Sequence, residues 1–268
     1  MKLRNILPVM AFVMSLSANA QENSKTMKVG DVTIEWIKDK PGETKHGKRV
    51  FNDTPDAILA ELGLQDGIPS SVSCFLMTVE GKEILFDAGL GNDGSLLLKT
   101  LAEQGKKPED IKLIYITHLH GDHIGGMIKD GKAVFTNAEV YLNKDEYDGW
   151  KAMSADRNKQ QLQLFELYKS QLHLFKIGDT LPAGVIPIEA YGHTPGHTVF
   201  QKGKVLVIGD LMHGAGLQMK YPEYCPFFDM DKEKSVESRK RILKYAKENG
   251  LLMAGMHLPD PGFIEMGK

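Results

Sequence analysis

The sequence has little cysteine and almost no net charge. Two cysteines, Cys74 and Cys225, occur in 268 residues, and the formal net charge is −2 at pH 7. A scaffold held together by many disulfides is therefore excluded. The basic field by which many proteins attract nucleic acid is also missing, so we expect no nucleic-acid partner. Cys74 lies in an apolar run and is expected to be a buried thiol; a bridge to Cys225 is the alternative.

Long hydrophobic runs and linker-like segments are also missing. The apolar stretch at residues 7–16 is too short to span a membrane. It follows two basic residues and precedes Ala18-Asn19-Ala20, a pattern typical of a cleaved secretory signal peptide. We therefore predict a signal peptide over residues 1–20, export to the periplasm or secretion, and a single domain over residues 21–268. No membrane anchor is expected.

The densest chemical signal lies between residues 117 and 126. Three histidines and one aspartate fall within six consecutive positions, directly after an apolar run at 111–116. A lone histidine is usually structural, but clustered imidazoles beside a carboxylate have little structural use and suit zinc or a similar divalent ion. The pattern predicts a metal-binding loop at the end of a buried strand. Its candidate ligands are His118, His120, Asp122 and His123.

Further metal-capable side chains stand elsewhere in the chain. Asp210 ends one apolar run and His257 closes another. His193 and His197 share the short segment Gly-His-Thr-Pro-Gly-His. Because ligand sites of α/β sheets gather at strand ends, we expect side chains from these segments to lie near the 118–123 cluster.

Turn and cap signals locate several elements. Asp53-Thr54-Pro55 predicts the capped start of a helix that Gly63 ends. Asp231 is expected to cap a helix over Lys232–Asn249, with Gly250 beyond its end. Apolar runs bounded by turn residues predict strands at 72–79, 83–86, 111–116, 138–142, 186–190, 199–201, 204–208 and, as the last clear one, 251–256.

The order of these segments resembles the metallo-β-lactamase fold superfamily of binuclear metallohydrolases. The resemblance covers about residues 70–262 and rests on Ile84–Gly89, His118–His123, Thr194–His197, Gly209-Asp210 and His257. It implies an α/β (α+β) fold, a four-layer αββα sandwich in which two similar halves pack sheet on sheet. The alternation of strands and helices alone would equally fit a doubly wound sheet.

The resemblance also implies two divalent metal ions, with zinc the first choice and iron, manganese or cobalt as alternatives. The expected ligands are His118, His120 and His197 for one ion, Asp122, His123 and His257 for the other, and Asp210 as a bridge between them. His197 is preferred to His193 because it follows Pro-Gly. Asp87 is expected to support a histidine ligand from behind.

The chemistry implied by this set is attack by a metal-bridging hydroxide on an electrophilic carbon or phosphorus. Asp122 is a candidate to orient that nucleophile, and Asp210 to pass a proton to the leaving group. The expected substrate is a small ester, lactone or phosphoester. No G-x-S-x-G segment for a serine nucleophile occurs in the sequence.

Within the superfamily the chain resembles an exported subgroup that includes methyl-parathion-hydrolase-like and lactonase-like enzymes. Asp260 stands where that subgroup usually has an aromatic residue, so an acid near the metals is expected to change the polarity of the pocket. The segment 212–228 is apolar and either walls the pocket or packs on the sheet. His213 either faces the pocket or lies on the surface.

Other functions stay open at this point. They are a glyoxalase II-like thioesterase, a β-lactamase and a non-enzymatic module of the cell envelope that binds a metal or a partner. Asp210 argues against a β-lactamase, because those enzymes generally lack a bridging carboxylate. The sequence leaves the oligomeric state undetermined, with a dimer among the alternatives.

Overall fold

The computed structural model describes residues 23–267. The predicted signal peptide, residues 1–20, lies outside the described residues. The strands are β1 (Ser24–Val29), β2 (Val32–Lys38), β3 (Thr44–His46), β4 (Ile68–Ser70), β5 (Ser73–Val79), β6 (Lys82–Phe86), β7 (Leu113–Tyr115), β8 (Ile128–Lys129), β9 (Lys132–Ala133), β10 (Glu139–Asn143), β11 (Leu172–Phe175), β12 (Ile186–Glu189), β13 (Thr198–Lys202), β14 (Val205–Gly209), β15 (Leu252–Gly255) and β16 (Phe263–Glu265).

Helices connect and flank these strands. The α-helices are α1 (Asp56–Glu61), α2 (Leu97–Glu103), α3 (Gly121–Ile124), α4 (Lys144–Lys151), α5 (Lys159–Leu167), α6 (Ala215–Gln218) and α7 (Lys232–Asn249). Short 3₁₀ turns occur at Pro108–Asp110, Gly125–Met127 and Pro182–Gly184. None of the helices between residues 23 and 267 is both long and apolar enough to cross a bilayer.

Two large sheets form the centre of the fold. The first has seven strands in the order β1-β2-β5-β6-β7-β10-β11, and the second has five in the order β12-β13-β14-β15-β16. The pairs from β6 to β11 in the first sheet are parallel, as is β14 with β15 in the second. The other pairs within these two sheets are antiparallel.

Side-chain alternation along the strands creates the layers. In β5, Phe75 and Met77 enter a core shared with residues of the second sheet, whereas Cys74 and Leu76 enter a core shared with α2, α4 and α5. In the second sheet, Val205 and Val207 of β14 face the shared core, and their neighbours pack against α7. Helices therefore cover the outer face of each sheet, and the predicted αββα sandwich is confirmed.

The topology brings the chemically active segments to one edge of the sandwich. The loop with His118 follows β7, and Asp87 follows the neighbouring parallel strand β6. Asp210 and His257 follow the parallel pair β14 and β15. Because parallel strands end at the same edge of a sheet, these loops converge.

A satellite of the main fold lies beside this edge. The two-stranded antiparallel sheet of β3 and β4, together with α1 and α6, encloses its own apolar cluster, which includes Phe51, Ile68 and Leu217. This small sheet was not predicted, because strands of three residues are too short to show a period of two. The other short strands, β8, β9, β11 and β16, have two to four residues and were also missed.

The two helix caps behave differently. The side chain of Asp231 accepts a hydrogen bond from the backbone N–H of Lys234, as predicted, and Gly250 ends α7 in the left-handed conformation. The predicted cap of α1 is wrong: Pro55 occupies the N-cap position without a side-chain bond, and the Asp53 carboxylate pairs with Lys232 instead. Asp53 lies too far upstream to reach the first free N–H groups of α1.

The cysteines do not form a bridge. Cys74 and Cys225 are both free and both buried. Cys74 is part of the core between the first sheet and its helices, so the expectation of a buried thiol is confirmed. Burial raises the pKa of the Cys74 thiol well above its usual value and keeps the thiol protonated.

Gly250 provides a clean test of the α7 terminus. Its φ is +55°, and a Cβ added there would contact nothing within 4 Å. Gly250→Ala should therefore lower the free energy of unfolding by about 1 kcal/mol through backbone strain alone, and Gly250→Asn by less. Urea denaturation measures the change. Gly47→Ala, which also meets no contact and has no positive φ, is the control; an equal loss in both alanine variants would contradict this account.

Candidate metal centre

Three imidazoles converge on one point. His118 Nε2 lies 3.0 Å from His120 Nδ1 and 3.2 Å from His193 Nε2, and the last two nitrogens are 2.9 Å apart. His118 and His120 stand in the loop after β7, and His193 stands between β12 and β13. Both halves of the sandwich therefore contribute to this first donor group.

A second donor group lies beside the first. His123 Nε2 is 3.9 Å from Asp122 Oδ1, and His257 Nε2 is 3.4 Å from Asp122 Oδ2. The segment Gly121–Ile124 forms the one-turn helix α3, which carries Asp122 and His123 directly after the loop with His118 and His120. His257 reaches the group from the loop after β15.

Asp210 stands between the two donor groups. Its carboxylate is 2% exposed, and imidazole nitrogens surround it. The nitrogens that approach within 3.5 Å are the Nε2 atoms of His118 (3.5 Å), His193 (3.1 Å), His123 (3.0 Å), His257 (3.2 Å) and His213 (2.9 Å). This is the position expected of a bridging carboxylate.

The donor chemistry fits divalent ions. Three ring nitrogens that face one another within 3.2 Å cannot all be paired by hydrogen bonds, because a neutral imidazole has one donor and one acceptor. Ligand atoms of a tetrahedral zinc, each about 2.0 Å from the ion, are separated by roughly this distance. His123 Nε2 and Asp210 Oδ1 are buried and make no hydrogen bond to any residue in the described range. A cation between them would satisfy both atoms.

The geometry corrects one predicted ligand. His197 is fully buried, but its Nδ1 donates to the Ala190 carbonyl at 2.9 Å and its Nε2 accepts from the Asp210 backbone N–H at 3.0 Å. Both ring nitrogens are therefore occupied, and His197 supports Asp210 from behind. His193 takes the position that the sequence-based argument gave to His197. The structure brings the other six predicted residues together.

Buried carboxylates orient the histidines. Asp87 accepts hydrogen bonds from the Thr117 backbone N–H and hydroxyl, and its Oδ2 lies 2.7 Å from His123 Nδ1. Asp229 contacts His193 in the same way as Asp87 contacts His123: its Oδ1 lies 2.8 Å from His193 Nδ1. Such partners fix the ring orientation and the tautomer of a metal ligand. Asp87 was predicted, whereas Asp229 was missed because nothing in the sequence links it to His193.

Glu146 joins the loops that carry the first donor group. This residue of α4 is completely buried. Its Oε1 accepts from the Leu119 backbone N–H and the Trp150 indole, and its Oε2 accepts from the Thr194 hydroxyl and the Gly196 backbone N–H. One carboxylate thus holds Leu119, which lies between two ligands, and also Thr194 and Gly196, which follow His193. No pattern in the sequence indicates this role of Glu146.

The pKa values match ligand roles. Burial, with a contribution from neighbouring imidazoles, lowers the pKa of His118 well below its usual value and that of His120 to about 3. Burial alone would also lower the pKa of His193 and His257, but Asp210 and a second carboxylate beside each raise these values to about 9 and about 10. A divalent ion therefore competes with protons at these two rings.

Both site carboxylates are ionised at neutral pH. Burial by itself would raise the pKa of Asp210 and Asp122. The facing histidines, above all His123, lower the pKa of both groups below the usual range of a carboxyl. The carboxylates are therefore in the form that binds metal.

The donor groups open onto a cavity of about 410 Å³. Phe228 and His213 line it, so the segment 212–228 contributes two residues to its wall. Tyr221 and Tyr224 of that segment pack in the satellite cluster instead. Asp260 is not among the lining residues; its carboxylate pairs with Lys38, and the expected effect of Asp260 on pocket polarity is therefore wrong.

Residues 67–250 match the family model described as the metallo-beta-lactamase superfamily. The chain belongs to the metallo-beta-lactamase superfamily. AidC, a dizinc quorum-quenching lactonase solved with a product bound, has the same fold, with a TM-score of 0.81 and 26% sequence identity over 91% of this chain and 93% of AidC. Among metallo-beta-lactamase proteins this chain is thus similar to hydrolases.

Two characterised relatives differ in activity. The N-acyl homoserine lactonase of Bacillus thuringiensis is 26% identical in an alignment 206 residues long, which covers 66% of this chain and 77% of the lactonase. The exodeoxyribonuclease WalJ of Streptococcus pneumoniae is 34% identical over 137 residues, which are 50% of this chain and 46% of WalJ. The matched region spans about half the length of WalJ. Both of these relatives are hydrolytic enzymes.

The choice between His193 and His197 can be tested with a matched pair of variants. His193→Gln should reduce the zinc bound after dialysis from about two ions per chain to about one, because a ligand is lost. His197→Gln should retain both ions, since the amide oxygen can still accept from the Asp210 N–H. Elemental analysis of the folded proteins measures the metal content. Loss of zinc from the His197 variant alone would restore the assignment made from the sequence.

Glu146 offers a test of the supporting structure. Glu146→Gln keeps the shape but turns an amide N–H₂ toward two of the four donors. We expect roughly a 10–100-fold weaker metal affinity, as for other residues that orient ligands. Competition with a chromophoric chelator measures this affinity. Asp148→Asn on the exposed side of α4 should change nothing, and equal affinities in the two variants would argue against the role of Glu146.

Proposed function

We propose that the protein is a binuclear metal-dependent hydrolase that opens lactones and cleaves related small esters. The observation that carries this proposal is the position of the Asp210 carboxylate within 3.5 Å of histidines from both donor groups. A structural zinc site encloses its single ion with four protein ligands. Here two groups of three side chains share one carboxylate and face a cavity.

Each donor group has the composition of a catalytic site. His118, His120 and His193 would hold one ion, and Asp122, His123 and His257 would hold the other. Two divalent ions at these positions would polarise a carbonyl or phosphoryl oxygen and lower the pKa of a nearby water. The cavity beside the donor groups leaves room for substrate next to the ions. Zinc suits the nitrogen-rich set, and iron, manganese and cobalt are compatible with it.

The chain supplies the remaining roles from residues that line the cavity. Asp122 lies at the edge of the second donor group, where its carboxylate orients the attacking water. Asp210 would accept a proton from the attacking water and return it to the leaving group. His213 lies 2.9 Å from Asp210 Oδ2, and burial lowers its pKa to about 4, so a neutral imidazole stands beside the proton-accepting oxygen. No serine or cysteine nucleophile is required.

The substrate class follows from the similar enzymes and from the cavity. AidC and the Bacillus lactonase both act on lactones, and the cavity of about 410 Å³ has the size of a small-molecule pocket. Cleavage of phosphodiesters is a second candidate because of the 34% identity to WalJ. The net charge of −2 favours the lactone, since it provides no general attraction for a polyanion.

The test is a panel of substrates on zinc-loaded protein. We expect lactone and aryl ester hydrolysis that dialysis against a chelator abolishes and added metal restores. Asp210→Asn should lower kcat by more than roughly 100-fold, beyond the effect of a merely supporting residue. Ring opening is followed with a pH indicator. The panel also contains a phosphotriester, a thioester, a β-lactam and a DNA oligonucleotide. A protein that holds two metals and turns over none of these compounds would be a binding module.

A further inference from the structure

A buried arginine supports the segment that follows the bridging carboxylate. Arg239 of α7 is completely buried. Its Nε donates to the Leu211 carbonyl at 2.7 Å, its Nη1 donates to the Pro222 carbonyl at 2.7 Å, and its Nη2 lies 3.3 Å from Asp229 Oδ2. Arginine is rarely inaccessible to solvent unless such partners compensate its charge. Three nitrogens of one guanidinium thus hold the beginning, the middle and the end of residues 211–229.

This segment contains little regular structure. Between residues 211 and 229 there is no strand, and α6 is a single turn of helix. The carbonyls of such a loop lack the partners that a sheet or a helix provides, and a buried polar group without a partner is costly. The Arg239 guanidinium supplies donors to two of these carbonyls. Its donors point in fixed, different directions, whereas a lysine ammonium occupies one point.

The first contact of Arg239 lies directly beside the bridging carboxylate. Leu211, whose carbonyl accepts from Arg239, is the residue after Asp210. On the other side, the Asp210 N–H donates to His197 Nε2 at 3.0 Å. The backbone of Asp210 is therefore held from both sides, because a change in its direction would break one of two buried hydrogen bonds.

The last contact of Arg239 reaches a predicted metal ligand through Asp229. One oxygen of this carboxylate, Oδ1, lies 2.8 Å from His193 Nδ1. The other oxygen, Oδ2, accepts from the Ser235 hydroxyl at 2.8 Å and faces the Arg239 guanidinium. Ser235 and Arg239 are one helical turn apart, so both lie on the same face of α7. Together they fix the carboxylate that orients the His193 ring.

The second donor group is supported from other parts of the fold. His123 faces Asp87, and His257 Nδ1 donates to the Ser71 carbonyl at 2.7 Å. Within the described part of the chain, all hydrogen-bond partners of the Arg239 side chain lie between residues 211 and 235. The second group is therefore connected to Arg239 only through the carboxylate that the two groups share.

We propose that Arg239 and Ser235 are positioning residues that set the affinity of the first donor group for its metal ion. They fix Asp229, and with it the His193 ring, relative to Asp210. This inference rests on the proposed binuclear centre and assigns the support of one of its two ions to α7. Disturbing these two residues should therefore weaken the two ions unequally.

The experiment measures zinc affinity in proteins that retain one intact donor group. His257→Gln removes a ligand of the second group, and His193→Gln removes a ligand of the first. Arg239→Lys added to His257→Gln should weaken zinc binding roughly 10-fold, as expected for residues that orient ligands. Added to His193→Gln, the same change should leave the affinity nearly unaltered, because Asp229 then has no ligand to orient. Competition with a chelator measures each affinity.

Arg241→Lys is the matched control, because it makes the same exchange at an exposed position of α7. It should change neither affinity. Ser235→Ala removes only the hydroxyl contact to Asp229 and should weaken zinc binding in the His257→Gln protein by a smaller factor. If Arg239→Lys does not fold, Ser235→Ala decides the question by the same comparison. An equal loss in both backgrounds would indicate a general structural role and overturn the inference, as would the absence of a loss in the His257→Gln protein.

Metal binding separates this inference from the proposed function. The expected pattern of affinities in a protein that hydrolyses no substrate would support the positioning role and contradict the hydrolase. A wild-type protein that binds no zinc would contradict both.

Discussion

The electrostatics of one buried carboxylate organise the whole site. Asp210 is almost inaccessible to solvent, and the cost of burying its charge is offset by imidazoles that approach from both halves of the sandwich. Its position depends on the parallel pair of β14 and β15, which brings Asp210 and His257 to one edge. His197 then fixes the backbone of Asp210 through the N–H group. The surrounding imidazoles, the edge formed by β14 and β15, and the hydrogen bond from the Asp210 N–H to His197 therefore hold this buried charge in place together.

Much of this arrangement could be predicted from the sequence. The spacing of His118, His120, Asp122 and His123 is specific enough to indicate a metal site without any structure. Asp210 and His257 could be placed because each ends an apolar run. The strands β5, β6, β10, β13 and β14 and the long helix α7 were predicted by the same patterns, since an extended period and a clear cap leave little ambiguity.

The remaining features depend on tertiary contacts that no local pattern contains. His193 and His197 both follow a glycine in Gly-His-Thr-Pro-Gly-His, and their tertiary hydrogen-bond partners distinguish them: Asp229 orients His193, whereas the Ala190 carbonyl and the Asp210 backbone N–H hold His197. Asp229, which orients His193, is 36 residues away. The negative charge of Asp260 is paired with Lys38, which lies 222 residues earlier in the sequence. Because these contacting residues lie far apart in the sequence, no local pattern predicts that they meet.

The bonding of Glu146 has a consequence for the metal-free state. Its four accepted hydrogen bonds bind α4, the loop after β7 and the turn after β12 into one rigid joint. That joint contains no metal ligand, so it does not dissolve when cations leave. The backbone on either side of the ligands is thus held by hydrogen bonds that involve no ion. An ion that binds there would meet donor loops that Glu146 already holds in place.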